Sequence, residues 1–470
     1  MTVEPSLLNV PPGVVPALDP EFRPAWSAQR AFAQAVRAAG GGLPLSIALE
    51  GEPGETSVVT SAVLPEGHPH AADNLRFAER LLKFLLWQRG ARRVLVAGPE
   101  ALTRHLLESY GSGGARRFDV EFFARVYGAF SVEAARVEHL PAPSESGRAL
   151  GGHQDGCRIG FDAGGSDRKV AALIDGKPVF TAETAWQPKE HADPAYHFAG
   201  IDDSISCAAR HLPRIDAIGV SSAGVYLANR TRVASLFRRV PEPAFSERIV
   251  PIYLDIAAKW GGVPLEVAND GDVAALAGAL ELGNGPVLGL ALGTSLAAGY
   301  VDEQRRIRGW LNELAFAPLD YAAGAPIDSE WSGDRGTAVH YLSQDGAARL
   351  ALRAGLELAG AGPAEKLVEL QALAQARDAR ALAVYQSLGV YLAYALLNFA
   401  EFYPLKHVLL LGRVTTGVGG QVLEAEVRRV LASESPELAA RILLHLPDES
   451  ARRVGQAVAA ASLPQSRARP

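Results

Sequence analysis

Cysteine is nearly missing from this chain. Cys157 and Cys207 are the only two among 470 residues, too few for a disulfide framework or for a four-thiolate metal site. The expected setting is a reducing cytoplasm, and no zinc site is expected. Net basic charge is lacking too: 46 Lys and Arg face 52 Asp and Glu, for a formal net charge of −6. No overall field therefore draws the chain to nucleic acid. The stretch 1–24 mixes prolines with acidic residues and has no basic segment followed by an apolar one, so no secretory signal is read there. Apolar runs such as 390–399 are short and rich in aromatics, which argues against a membrane span. With 48% hydrophobic and 21% charged residues, the chain has enough apolar material for roughly two or three domains.

Glycine, by contrast, is plentiful at 47 residues. Four glycine turns close apolar runs: Asp162-Ala163-Gly164-Gly165-Ser166, Asn269-Asp270-Gly271, Leu292-Gly293-Thr294-Ser295 and Leu411-Gly412. The first lies between two strand-like runs, so its glycines are expected in a tight hairpin whose N–H groups can approach a phosphate. Asp162 opens that turn and is placed to hold Mg²⁺, directly or through water, because this ion prefers oxygen ligands and keeps its waters. The third turn offers the Thr294 and Ser295 hydroxyls. Each piece alone reads as an ordinary β-turn; their order along the chain suggests a cleft for a nucleoside triphosphate.

From about Cys157 onward that order resembles the ROK family of sugar kinases and regulators, within the actin-like, hexokinase-like and Hsp70-like ATPase superfamily. Asp162-Ala163-Gly164-Gly165-Ser166 is similar to the family's first phosphate motif, with Ser for the usual Thr. Ile218 to Gly224 resembles a strand ending in a sugar-facing turn, which would include Ser222. Val267-Ala268-Asn269-Asp270 resembles the family's Glu-Asn-Asp segment, whose Asp is the general base. Leu292 to Gly299 is similar to the second phosphate motif, with Ala297 and Ala298 where glycines are common. Phe402 to Gly412 resembles the adenosine segment.

The resemblance implies an α/β, two-lobed actin-like ATPase (ribonuclease H-like) fold with an additional N-terminal α/β domain. It implies ATP as co-substrate with Mg²⁺ at Asp162, and phosphates against Gly164, Gly165, Ser166, Gly293, Thr294 and Ser295. Adenosine would lie near Gly412, Arg413 and Thr415. Asp270 would be the base, with Asn269, Glu313 and Ser222 holding a sugar or polyol acceptor. A homodimer is the family's default. The chain departs from the pattern where ROK kinases carry Glu-x-Gly-His and a zinc-binding cysteine cluster: Asn312-Glu313-Leu314-Ala315-Phe316 keeps the Glu and loses the His. A divergent, zinc-free branch is implied.

Residues 1–28 read as an extended, Pro-punctuated arm and 29–140 as a small α/β module of its own, with 141–156 as linker. In that module helices are expected over 31–39, 74–88 and 100–110, and strands over 43–49, 58–64 and 94–97. Its charges nearly balance and strands interrupt its helices, which argues against a groove-reading domain. The kinase-like part divides into a small lobe, 157–270 plus 451–464, and a large lobe, 271–450. The final helix is expected to pack closely through Gly455, Ala457 and Ala461. Asp272 suits the cap of a helix starting near Val273, Lys169 reads as a solvated side chain, and Trp310 and Trp331 read equally as sugar-stacking rings or as partly buried core. Three functions remain open: phosphoryl transfer to a sugar or polyol, a sugar- or nucleotide-sensing regulator without turnover, and ATPase or acyl-phosphate chemistry.

Overall fold

The computed structural model describes residues 6–145, 150–447 and 449–466. The N-terminal part comprises α1 (Ala25–Ala38), β1 (Leu43–Glu50), β2 (Glu55–Val63), α2 (Asp73–Arg89), β3 (Arg93–Ala97), α3 (Glu100–Ser109), α4 (Arg117–Tyr127), β4 (Ser131–Ala134) and β5 (Ser144–Glu145). Its five-stranded sheet has the order β4-β3-β1-β2-β5. Alternate residues of β1, Leu45, Ile47 and Leu49, are buried with Phe32 of α1 and Leu82 and Leu85 of α2, as the two-residue period of a strand requires.

This part is not a separate body. Phe84 of α2 belongs to the large-lobe core, and Tyr321 of the large lobe belongs to the module core. The expected extended arm is a strap. Phe22 is fully buried, with its ring 4.8 Å from that of Tyr391. Asp19 accepts a hydrogen bond from Tyr391 and pairs with Arg349 and Arg353. The expected linker is held as well: Ser144 and Glu145 pair with Thr56 and Glu55, and Leu150 bridges Ile307. Its residues 146–149 and residues 1–5 of the arm lie outside the described residues.

A buried ion cluster fastens the two parts. Lys83, fully buried, lies 3.1 Å from Asp119 and 3.2 Å from Asp334; Arg80 and Arg116 reach Asp334 at 2.7 and 2.9 Å. Burial opposes the Asp334 charge, but Lys83, Arg80 and Arg116 outweigh it and hold this carboxyl far below its ordinary range. Its stabilising contribution is present above the unfolded carboxyl pKa and is lost only as pH falls toward the depressed folded value. Asp334→Asn leaves the buried cations short of one carboxylate and is expected to cost about 3–5 kcal/mol. Urea unfolding at neutral pH measures this directly.

The small lobe contains β6 (Cys157–Ala163), β7 (Asp167–Ile174), β8 (Lys177–Ala185), α5 (Pro194–Ala209), β9 (Ala217–Ser222), β10 (Val225–Leu227), β11 (Arg230–Val233), α6 (Ile252–Lys259) and β12 (Leu265–Asn269). Its sheet runs β12-β9-β6-β7-β8. The first three strands in sequence form an antiparallel meander, and β9 and β12 add parallel to β6. This is the ribonuclease H-like arrangement. Helix α7 (Asp270–Leu282) leads into the large lobe, with β13 (Val287–Leu292), β14 (Leu296–Val301), α8 (Gln344–Arg353), α9 (Pro363–Gln375), α10 (Ala379–Phe399), β15 (His407–Leu411), α11 (Gly417–Glu434), α12 (Pro436–Arg441) and β16 (Leu443–His445). The sheet order is β14-β13-β15-β16. Helix α10 is long and apolar because it is the core helix of this lobe, buried on most of its surface.

Helix α13 (Glu449–Ala461) returns to the small-lobe sheet. Gly160 on β6 and Gly219 on β9 admit it: a Cβ on Gly160 would fall 1.7 Å from the Ala457 carbonyl oxygen, and one on Gly219 1.6 Å from that of Ala460. Ala457 and Ala461 are buried in this contact. Gly455 differs from the expectation, because a Cβ there would meet nothing within 4 Å.

Candidate functional site

The parallel register of β6 and β9 sets Ser221 beside Asp162. The Ser221 hydroxyl donates to Asp162 Oδ1 at 2.7 Å. Gln456 of α13 donates to Ser221 Oγ at 3.1 Å and to the Asp270 carbonyl oxygen at 3.0 Å. One polar chain therefore joins the first glycine hairpin, the returning helix and the start of α7. Ser221 and Gln456 were not singled out in the sequence, since only the pairing register and the return of α13 bring them together.

The segment Asn269-Asp270-Gly271 is a strand-to-helix junction rather than a glycine turn. Asn269 is the cap: its Oδ1 accepts from Gly271 N at 2.8 Å, while its Nδ2 donates to the Gly224 carbonyl at 2.8 Å. Asp272, expected as the cap, is instead buried inside the first turn, accepting from Tyr300 N and Asn312 Nδ2, each at 3.0 Å. The cap falls to Asn269 because the helix starts at Asp270, earlier than the apolar periodicity indicates.

Four carboxyl groups gather here. Burial pushes Asp162 up to about 6, against the Ser221 hydrogen bond and Lys169, with Asp270 adding repulsion. Asp270 is raised, chiefly by burial, with the Gly271 N–H and Lys189 opposing. Glu313 is pushed up to about 7 by burial and then by Asp270. Asp272 is pushed up to about 8, mainly by burial. These groups resist ionisation in the fold, so it holds more protons than the unfolded chain above about pH 4. The favourable balance is complete below the unfolded carboxyl pKa and declines as pH rises through the folded values of about 7 and 8. Unfolding free energy is expected to fall between about pH 5 and pH 8.5, and Asp272→Asn to shrink that fall. A urea series across pH measures both.

Around the first hairpin, Lys169 is not solvated as expected: its ammonium pairs with Asp167 and stands 3.9 Å from Asp162 Oδ2. Lys189, on the turn Pro188–Glu190, brings its ammonium to the glycines: a Cβ on Gly165 would lie 3.1 Å from Nζ. Its position after β8 left no sequence signal for this. Gly164 closes on Asp167, and the Ser166 hydroxyl donates to Asp167. In the second hairpin Gly293 N donates to the Ser295 carbonyl at 2.9 Å, leaving the exposed Thr294 and Ser295 side chains at the tip. A cavity of about 430 Å³ runs from Asp270 and Gly271 past Ala291, Ala297 and Leu411 to Gln456. A second, of about 180 Å³, is lined by Gly224, Glu266 to Asn269 and the stretch 307–311.

Some expected contacts are closed off. Ser222 is fully buried, its hydroxyl 2.7 Å from the Tyr226 hydroxyl and accepting from Tyr253, so it does not face a sugar. Thr415 is buried and donates to the Gly412 carbonyl at 2.9 Å, capping its own turn rather than bordering adenosine. Gly412 keeps φ +89°, where a Cβ would meet the Leu292 carbonyl at 2.3 Å, and Arg413 beside it is exposed. Trp310 is engaged by Tyr300, stacked at 5.3 Å, and by the Arg89 guanidinium 3.8 Å from the ring. Trp331 is 64% exposed. Phe316, at the position of the histidine in the family's Glu-x-Gly-His motif, packs 4.4 Å from Trp87 of α2. Among the described residues no group of three or more His, Cys, Asp or Glu is arranged to hold a metal ion.

No protein-family model matches the chain, and no curated protein matches it. Solved structures do share its fold. A ROK hexokinase from Thermus thermophilus is 19% identical over 66% of this chain and 97% of its own, with a TM-score of 0.51. A ROK family transcriptional regulator, a homologue of the E. coli MLC protein, is 16% identical over 69% of this chain and 82% of its own, with a TM-score of 0.50. The fold is thus the two-lobed actin-like ATPase fold of ROK proteins. It is a fold on which the solved examples include both a kinase and a regulator, so function has to be argued from the site.

Proposed function

We propose that this protein is a ROK-type kinase that transfers the γ-phosphoryl group of ATP to a hydroxyl of a sugar or related polyol. The observation that carries the reading is Asp270: a raised carboxyl at the head of α7, on the wall of a cavity lined by α7, α13 and strands β13, β14 and β15. Phosphoryl transfer asks little covalent chemistry of a protein; positioning and charge neutralisation do most of the work. In this reading Gly164, Gly165 and Ser166 on one side and Thr294 and Ser295 on the other would supply backbone N–H groups and hydroxyls for the phosphates, while the Gly293 N–H is given to the Ser295 carbonyl within its own turn. Lys189 adds a cation at the first hairpin.

In the step itself the acceptor oxygen forms a bond to the γ-phosphorus as the bond to the bridging oxygen breaks. ADP departs with that electron pair, and Asp270 takes the acceptor proton. A base with a raised pKa suits this work near neutral pH. Glu313, repelled by Asp270 and near 7, accepts or donates a hydrogen bond to a neighbouring hydroxyl according to its protonation. Asp162 is buried, with Oδ1 taken by Ser221 and Oδ2 3.9 Å from the Lys169 ammonium, so in this reading it would hold a magnesium ion through water, the phosphate oxygens supplying the direct ligands. When bound, that ion would neutralise phosphate charge.

Incubation with [γ-³²P]ATP and a panel of hexoses, amino sugars and polyols tests the reading. Label is expected on one class of acceptor. Label on inorganic phosphate alone would instead support ATPase chemistry. A second reading, a sensor that binds without turnover, is favoured by Phe316 standing where the motif histidine is expected. Nucleotide and sugar binding without label transfer would support it.

A further inference from the structure

The first glycine hairpin has two lysines beside it, and they differ in their partners. Lys169 is neutralised by Asp167 and Asp162. The Lys189 ammonium has neither a hydrogen bond nor an ion pair with another described residue, yet the segment that presents it is firmly anchored. Ala185 at the end of β8 pairs with Asp167 at the start of β7. The next residue, Trp186, is buried; its backbone N–H donates to the Ser166 carbonyl at 3.1 Å and its indole N–H to the Gly164 carbonyl at 2.8 Å. On the far side of the turn, Gln187 N donates to the Tyr196 hydroxyl at 3.0 Å, and the His191 ring stacks on Tyr196 at 3.6 Å. Between these anchors Pro188 is buried, and Lys189 folds back over the hairpin: a Cβ on Gly165 would lie 3.1 Å from Nζ and 3.3 Å from Cε.

Trp186 thus holds the carbonyls on either side of Gly165, while the Gly165 N–H donates to no described residue. An unengaged N–H at a glycine turn and an unpaired ammonium over the same glycine are complementary to an anion. The same cation reaches the proposed base: Lys189 attracts the Asp270 carboxylate and opposes the rise that burial causes there, whereas Lys169 acts on Asp162. One unshared positive charge therefore serves both the phosphate hairpin and Asp270.

We propose that Lys189 is a catalytic residue, whose ammonium, together with the Gly165 N–H, binds the γ-phosphate of the donor and neutralises the phosphoryl group as it is transferred. The inference rests on the phosphoryl-transfer reading above. As the acceptor oxygen bonds to phosphorus and the bond to the bridging oxygen breaks, negative charge is spread over the three outer oxygens of the moving group. Lys189 donates an N–H to one of them and neither gains nor loses a proton; the acceptor proton still goes to Asp270. A compact ammonium with three donors can follow that oxygen through the transfer. Held at the hairpin beforehand, its charge acts on the rate as well as on donor affinity.

The test compares the full chain as wild type, Lys189→Gln and Lys189→Arg. Calorimetry with Mg·AMPPNP, whose terminal group stands in for the γ-phosphate, is expected to show affinity about tenfold weaker in Lys189→Gln. Affinity for Mg·ADP and the thermal midpoint are expected to stay unchanged, because the ammonium has no protein partner to lose. With the acceptor class found by label transfer, kcat is expected to fall about 10²–10³-fold in Lys189→Gln and to recover in part in Lys189→Arg. The acidic limb of kcat/KM is expected to move to higher pH in Lys189→Gln, since the cation holds the Asp270 carboxyl down and its removal lets that group rise. Equal losses for AMPPNP and ADP, or an unchanged kcat, overturn the inference. If the wild type labels no acceptor, the phosphoryl-transfer reading fails and the two nucleotides decide Lys189 alone. A loss confined to AMPPNP then supports the γ-phosphate contact, and equal or absent losses overturn it. A wild type that binds neither nucleotide overturns both.

Discussion

Asp270→Asn is expected to lower kcat for acceptor phosphorylation by about 10²–10⁴-fold while leaving KM for ATP nearly unchanged. Asn is close in shape to Asp, and its side-chain oxygen can still accept from Gly271 N, as Asp270 Oδ1 does at 3.0 Å. The start of α7 therefore survives, and the cap at Asn269 is untouched. What disappears is the proton acceptor. Removing the Asp270 charge also removes the repulsion that helps raise Glu313, so the Glu313 pKa is expected to move down in the variant. A carboxyl-selective NMR titration reads that movement independently of turnover. An unchanged kcat in Asp270→Asn would remove this residue from the mechanism.

The second large effect is structural. Gly160→Ala or Gly219→Ala is expected to destabilise the fold by about 3 kcal/mol, because each new methyl would collide with a backbone carbonyl of α13 rather than with a flexible side chain. The helix has to move away, and with it goes Gln456, which joins Ser221 to the Asp270 carbonyl. Activity is therefore expected to fall along with stability in both variants. Gly455→Ala provides the contrast on the same helix: its Cβ would enter open space, and stability is expected to change little. Paired urea titrations of the three variants measure the difference. Equal stabilities for all three would contradict the close helix–sheet contact.

Much of the fold was legible because glycine and alternation carry strong local signals. Strand 43–49 was expected and β1 spans Leu43–Glu50; strand 94–97 was expected and β3 spans Arg93–Ala97. Helix α4 escaped because Phe118, Phe122 and Phe123 crowd one stretch between charged residues, and its partner surfaces include Trp87 and Phe316 from distant segments. The union of the N-terminal module with the large lobe was not legible for the same reason. Arg80 meets Asp334 across 254 positions of sequence, and nothing local announces such a pair. An isolated buried charge is costly, so the acidic and basic residues of 79–116 read as surface until their partner is known.

At the site, the motif residues were legible but their neighbours were not. Asp162 and Asp270 stand out at the ends of apolar runs, whereas Ser221 acquires its role only through the β6–β9 register and Lys189 only through the path of the chain after β8. Ser222 and Thr415 were assigned from their positions in the motifs the chain resembles, and a motif position does not say which way a hydroxyl turns. Here both hydroxyls satisfy buried partners, as buried polar groups generally do. Phe316 is the most informative departure. The loss of the motif histidine is visible in the sequence, but its replacement by a ring packed on α2 shows that the module occupies ground next to Glu313.

The central claim is that ATP turnover here belongs to an acceptor hydroxyl. The most direct measurement is ADP release from Mg·ATP with and without the acceptor class found by label transfer, with phosphorylated product counted in the same reaction. The account predicts that ADP and phosphorylated acceptor appear in equal amounts, with little ADP when the acceptor is left out. ADP released at the same rate without any acceptor, or no release despite nucleotide binding, would contradict it.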